Sequence, residues 1–361
     1  MSDSSPGPEA PRIFREIVDT YEPLQNQDPY KQVTFVRLTY QYARSDASKA
    51  NFLRFFFEHT QIPIEPSERD STSTSSSDYG LRLAAFADTL VENFLLPLKA
   101  STRKTPQPSP AVVSDLQSRQ SFPGTTQRLA SLRRDCLIRD HHRCVISRIF
   151  DFNEAVQRAK RDGDDNAQDD EGNPLRWESG IYTSLEVAHI IPHSLMAVSS
   201  ETTELNESKR LALAILNMFD DGVVNLIEGT DIDRSLDAIT LTHLLHQLFG
   251  GFKVFFEPVG NDPHPYRIDS TLPDIVRPRI LPVERTLFLT ESRTIDPPSP
   301  RLLAVHCAIT HILHLSAAGS HIDKILRDLD EGDVLVDGST PLGYFAALRI
   351  HGWWDGRIRG Y

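Results

Sequence analysis

The sequence predicts an α+β chain, mostly helical, with short strands gathered near its middle. Three observations carry this. Apolar residues recur every three or four positions through the N-terminal part, as on buried helix faces. Residues that favour extended backbone cluster in short stretches at Arg143–Arg148, Ile181–Ile191 and Phe252–Glu257. Helical spacing then returns at Arg301–Leu315 and Ile322–Leu329. The chain has 361 residues, enough for roughly two domains.

Residues 1–10 are expected to be disordered. A helical N-terminal region follows over 11–100. Phe35, Leu38, Tyr42, Phe52, Phe55 and Phe56 lie on its buried faces, and Asp46–Lys49 marks a break capped by Ser45 or Ser48. A Ser/Thr-rich loop spans 66–78 and has nothing to bury. A further helix is expected over Tyr79–Leu96, stopped by Pro97. Residues 101–127, rich in Pro, Ser and Gln, read as a linker. A second domain is expected over 128–258. It starts with a basic helix, Leu129–Asp140, followed by a strand at Arg143–Arg148. An acidic stretch, 156–174, reads as an exposed insertion. Ile181–Ile191 is expected as a strand ending at Pro192, and Glu204–Phe219 as a helix. Asp233–Leu241 reads as a turn into a helix at about Thr240–Leu248, closed by Gly250-Gly251. Asn261–Arg279 reads as a second linker. Residues 259–361 are expected as a helical extension packing on the second domain, with Trp353 and Trp354 docked.

The formal net charge is -12. Such acidity opposes non-specific coating of nucleic acid, which draws on clustered Lys and Arg. It leaves room for a metal site with a local basic strip, and Arg128, Arg133, Arg134, Arg139, Arg143 and Arg148 form one. The alternative for that strip is a solvated helix face. No apolar run is long enough for a bilayer, so no membrane partner is expected. No secretory pattern is visible at the start. Three cysteines do not make a disulfide framework. An intracellular location, cytoplasm or nucleus, is the expectation. Cys136 and Cys144 have no second pair, so structural zinc is not expected. Phosphate-binding, dinucleotide-binding, zincin and serine-hydrolase motifs are absent.

The candidate chemistry lies in three blocks: Glu-Val-Ala-His-Ile-Ile-Pro at 186–192, the turn at 232–241, and His-Leu-Leu-His-Gln-Leu-Phe-Gly at 243–250. A histidine at a strand end can deprotonate water. Oxygen and imidazole donors on a turn and a following helix can hold a divalent ion against phosphate. From about Arg133 to Pro258 the order of these blocks, with Arg-Cys-Val-Ile-Ser upstream, resembles the HNH endonucleases of a large fungal group with an Ala-His-Ile-Ile-Pro block. That resemblance implies a ββα-metal core within a mostly helical chain. It implies a metal-dependent endonuclease acting on DNA or RNA, with Mg2+ or Mn2+ as cofactor. It implies His189 as general base, and His246 and Asp237 as metal ligands.

Arg134, Arg143 and His193 are candidate substrate contacts. Two departures stand out. Asp237 occupies the position where the family has Asn, and Ala188 precedes the base histidine where many relatives carry an acid. An Asp cannot donate the two N–H bonds of an Asn. The alternative reading is therefore a catalytically weakened HNH-fold accessory protein whose N-terminal helices bind a protein partner. Convergence of His189, Asp237 and His246 on one point would favour the enzyme. Asp237 turned elsewhere would count against it.

Overall fold

The computed structural model describes residues 7–64, 76–102, 125–178, 182–196, 206–262, 264–290, 294–331, 348 and 353. Most of the linker at 101–127, the bulk of the Ser/Thr-rich loop and Trp354 lie outside them. In chain order the helices are α1 (Ala10–Tyr21), α2 (Gln32–Gln41), α3 (Asp46–Thr60), α4 (Ser76–Leu90), α5 (Leu96–Thr102), α6 (Thr125–Arg139) and α7 (Phe152–Asp162). Strand β1 (Leu185–His189), α8 (Glu207–Phe219), β2 (Ala238–Thr242) and α9 (His243–Gly250) follow. The chain continues with β3 (Val254–Pro258), β4 (Pro265–Ser270), β5 (Val283–Thr286), α10 (Pro300–Leu315) and α11 (Ala318–Glu331). The class is α+β, with helices dominant and two small antiparallel sheets, β1-β2 and β3-β4-β5. Among the described residues no single helix is long and apolar enough to cross a membrane.

The chain divides into two compact units. Unit 1 takes residues 1–101, 194–226 and 308–361; unit 2 takes 102–193 and 227–307. The boundaries differ from a domain at 128–258: α8 leaves that stretch, and β4, β5 and the start of α10 join its remainder. The core of unit 1 is aromatic. Phe14 packs against Tyr40, Phe52 and Phe56, and Phe86 against Phe52 and Phe56. Ser45 caps α3 by accepting the Ser48 N–H at 3.0 Å, which supplies one of the orphan donors of a helix start. Pro97 does not stop the helix. A π-helical turn over Val91–Leu95 precedes it, and α5 runs on through it. Widening the turn is a common way to relieve a proline clash inside a helix. Trp353 is buried, and its indole N–H donates to Ser208 Oγ at 3.0 Å.

In unit 2, β1 and β2 pair with Val187 opposite Thr240 and His189 opposite Ala238. Strand alternation puts Leu185, Val187 and His189 on one face and Glu186 and Ala188 on the other. The first face is covered by α6: Leu129, Leu132 and Cys136 cluster with Val187 and Ala238. From the second face, Glu186 reaches the histidines of α9.

Several expectations are corrected in this unit. Arg143–Arg148 is not a strand. It is a tight turn, with one bridge between Arg143 and Phe150 and Arg148 in left-handed backbone at φ 62°. The helix expected from Thr240 starts only at His243, because the β-branched run Ile239–Thr242 pairs with β1 instead. The second linker contains β4, which binds β3 along its whole length. The acidic insertion is exposed at most of its residues, as expected, but it is tied to the unit at several points. Its first part is the end of α7, capped by Asp151 accepting the Glu154 N–H at 2.9 Å. Its second part buries Ala167 with Phe150 and Leu175. Its acidic residues bind arginines: Asp170 pairs with Arg158 and Asp169 with Arg143, and Asp169 also accepts N–H groups of Glu171 and Asn173. Composition alone does not disclose such pairing.

Candidate functional site

The site forms where β1 ends. His189 is the last residue of β1, and its side chain is almost wholly buried. Nε2 lies 3.3 Å from Asp233 Oδ1. Nδ1 is buried and has no hydrogen-bond partner among the described residues. His193, just beyond the strand, places Nδ1 at 2.8 Å from the same Asp233 oxygen. The other oxygen of Asp233 accepts the Arg128 Nε–H at 3.0 Å. Burial alone would raise the Asp233 carboxyl. Hydrogen bonds from His189 and His193, with Arg128 behind, hold it well below the usual carboxylate range instead. Asp233 is therefore ionised. It accepts the Nε2–H of His189 and leaves the ring's lone pair on Nδ1. Burial also pushes the His189 pKa down, against the pull of Asp233. The ring is neutral near pH 7, as a proton acceptor must be.

The turn leading into β2 is fixed from the outside. Arg139, fully buried, donates to both oxygens of Asp140 and to the carbonyls of Ser235 and Ala238. Asp140 in turn accepts the Thr240 N–H. Between these anchors sits Asp237, also fully buried. Its Oδ1 accepts the Ile191 N–H at 2.8 Å, and its backbone carbonyl accepts the Ile190 N–H at 2.8 Å. Both contacts hold the loop directly after His189. Its Oδ2 has no partner. Burial drives this carboxyl well above its usual range, and the single Ile191 N–H does not offset that. A neutral acid has one accepting oxygen and one O–H, much closer to an amide than a carboxylate is.

On the opposite face, Glu186 joins two histidines of α9. Its Oε2 lies 2.7 Å from His246 Nδ1, and its Oε1 lies 2.9 Å from His243 Nδ1. Burial works against the Glu186 charge, but these bonds hold its carboxyl below its usual range. An ionised Glu186 accepts the His246 Nδ1–H and leaves Nε2 with a lone pair. Metal-ligating histidines commonly have this partnership.

The predicted residues thus meet in part. Among the described residues, His189, Asp237 and His246 do not form a group with ligand atoms within 4.8 Å of one another, whereas His189, His193 and Asp233 do. Asp237 faces the loop. The basic strip is largely spent inside unit 2. Arg143 binds Asp169 and Glu178, so its charge is neutralised there. Arg134 is exposed and pairs with its neighbour Asp135. Arg133 is half-buried and desolvated. The missed residues are Asp233 and Glu186. Asp233 has the sequence appearance of a turn former, and Glu186 stands in the first block without a distinguishing neighbour. Strand alternation could have placed Glu186 opposite the face that carries His189.

Residues 144–257 match the model of the HNH endonuclease family. The match covers β1, β2, α9 and β3, and so includes every residue of the site except Arg128 and the Arg139–Asp140 pair. The likeness to an HNH endonuclease domain is confined to that stretch, about a third of the chain. No curated protein and no solved structure matches it.

Proposed function

We propose that this protein is a metal-dependent endonuclease of the Ala-His-Ile-Ile-Pro type that cleaves phosphodiester bonds in nucleic acid, with His189 as general base. One observation carries the reading above the family match. His189 Nδ1 is buried, neutral and unpartnered, while its other nitrogen is held by an ionised carboxylate. This state accepts a proton from water once substrate opens or fills the site. Asp233 fixes the tautomer. Asp237 keeps the loop after His189 in place and is not a metal ligand.

Two donor sets suit a divalent ion. His246, with Glu186 behind it, offers Nε2. His189, His193 and Asp233 offer the compact group. The compact group competes with the proton-transfer role, because a His189 nitrogen bound to an ion cannot donate to Asp233 at the same time. We assign the catalytic ion to His246 and leave His189 to proton transfer. Each site offers imidazole nitrogen, one from His246 and two in the compact group, which suits a transition ion such as Mn2+ better than Mg2+. A bound divalent ion supplies charge neutralisation at the scissile phosphate and the leaving oxygen. DNA is the proposed substrate, with RNA as the alternative to be compared.

The test is plasmid nicking with Mn2+ or Mg2+, comparing the intact chain with His189→Ala. Nicking by the intact chain and its loss in the variant are expected. Equal nicking by both, or by neither, would overturn the reading. The second reading is a weakened HNH-fold accessory protein that binds a protein partner through its N-terminal helices. The Asp237 substitution and the net charge of -12 favour it. It gains if the intact chain neither nicks DNA nor cleaves RNA in either metal.

A further inference from the structure

A second cavity lies in unit 2, lined by Arg148, Asp169, Glu171, Trp177, Phe288 and neighbours, with a volume of about 630 Å³. Small-molecule sites commonly fall in the range of roughly 300–1,000 Å³. Trp177 is 73% exposed, although the turn that carries it is firmly built. Leu175 beside it is buried in the core with Phe150, and Arg143 binds Asp169 and Glu178 on either side of it in the chain. The Arg176 guanidinium lies 5.9 Å from the centre of the indole ring, and the remaining exposed ring surface offers a stacking face at little ordering cost.

The rest of the wall has donors and acceptors. Arg148 lies over Phe288 at 4.0 Å, with His141 stacked on the same ring at 4.5 Å. Its Nη2 donates to Thr286 O, while its Nη1 has no acceptor. Among the described residues no carboxylate lies within ion-pair distance of Arg148. Asp169 and Glu178 are both taken by Arg143. Glu171 has only a 3.7 Å contact with His141, and its carboxylate is left as an acceptor.

We propose that this cavity binds one unpaired nucleobase, and that guanine fits it best. The choice of a nucleobase rests on the nucleic-acid reading above. Trp177 supplies the stack, which is worth about 1–3 kcal/mol per base in single-strand binders. Guanine is the base whose Watson–Crick edge carries two adjacent donors, N1–H and the N2 amino group, beside an acceptor, O6. Two donors suit the Glu171 carboxylate, and an acceptor suits a guanidinium. A phosphate would be repelled by Glu171, so the base and not the backbone is assigned here.

The test uses the full chain carrying His189→Ala, in EDTA, so that no cleavage occurs. Guanosine is titrated while tryptophan fluorescence is read, with adenosine and cytidine in parallel. The chain has three tryptophans, and Trp177→Ala removes only the proposed reporter; this residue is exposed, so the fold should stand. Saturable quenching by guanosine that is lost in Trp177→Ala supports the site. Glu171→Gln should weaken guanosine and leave adenosine unchanged. No quenching by guanosine, or quenching that persists in Trp177→Ala, overturns it. Equal affinity for all three nucleosides overturns the guanine assignment. Nicking without nucleoside binding removes this site and leaves the nuclease; binding without nicking does the reverse.

Discussion

The two faces of the β1-β2 ribbon treat their histidines in different ways. On the α6 face, His189 and Asp233 are buried to within a few per cent, and a further histidine and an arginine crowd the same carboxylate. On the α9 face, Glu186 is only partly covered and His243 is mostly exposed. A closed environment lowers the charge tolerance of an imidazole and suits a neutral base. His246 on the other face is also largely covered, but it has an ionised carboxylate directly behind its ring, a pairing that suits a metal ligand. Under the proposed assignment the short ribbon separates proton transfer, at the end of β1, from ion binding, on the other face near its start.

The sharpest way to break this division is His189→Ala. General-base catalysis contributes roughly 10²–10⁴-fold, so turnover should fall on that scale while ion binding, followed by calorimetry, holds. If ion binding is lost instead, His189 is a ligand and the compact group His189–His193–Asp233 is the metal centre. Asp233→Asn should also reduce turnover, because an amide that offers its N–H to Nε2 favours the other tautomer. His193→Ala should leave ion affinity unchanged under the same assignment.

A smaller effect belongs to the other face. Glu186→Gln removes the ionised acceptor that fixes the His246 tautomer. Loss of such a partner costs about 10–100-fold in metal affinity or activity. Activity should recover at high Mn2+, since the ligand nitrogen itself remains. An activity loss that no metal concentration repairs would show that Glu186 acts on substrate or on the fold.

Much of this arrangement was legible in the sequence, but unevenly. The order of strand, turn and helix was readable because the β1 block, the glycine pair at 250–251 and Pro258 mark their own boundaries. His189 and His246 stood out for the same reason. Strand β2 was hidden because its run, Ala-Ile-Thr-Leu-Thr, abuts the helix and shares its apolar character. Only its pairing with β1 decides its state. The pairing of the acidic stretch was hidden because charge composition shows no partners: Arg143 lies 26 residues before Asp169, and Arg158, within the stretch, 12 before Asp170, yet both neutralise it in space. Asp233 was hidden because an aspartate in a turn usually serves the turn. The fold brings two histidines and an arginine to this one.

The smallest predicted effect separates Asp233 from Asp237, two buried carboxyls on the same turn in opposite proton states. Asp233 has a lowered folded pKa. Its contribution to stability is present above the ordinary carboxylate value, about 3.9, and is lost as pH falls through the folded value. Asp237 has a raised folded pKa, caused by burial. The folded chain then holds a proton that the unfolded chain releases above about pH 3.9. Stability fades as pH rises through that window. Asp237→Asn keeps the acceptor for Ile191 N–H and has no proton to lose. Its melting temperature should match the parent below about pH 3.9 and exceed it increasingly as pH rises above that. Asp237→Ala should instead lower stability across that range, by about 1–3 kcal/mol, because a buried N–H loses its acceptor. A melting difference between the Asn variant and the parent that stays constant with pH would mean that Asp237 is ionised in the folded chain, and the place of the family's Asn would then be held by a charge.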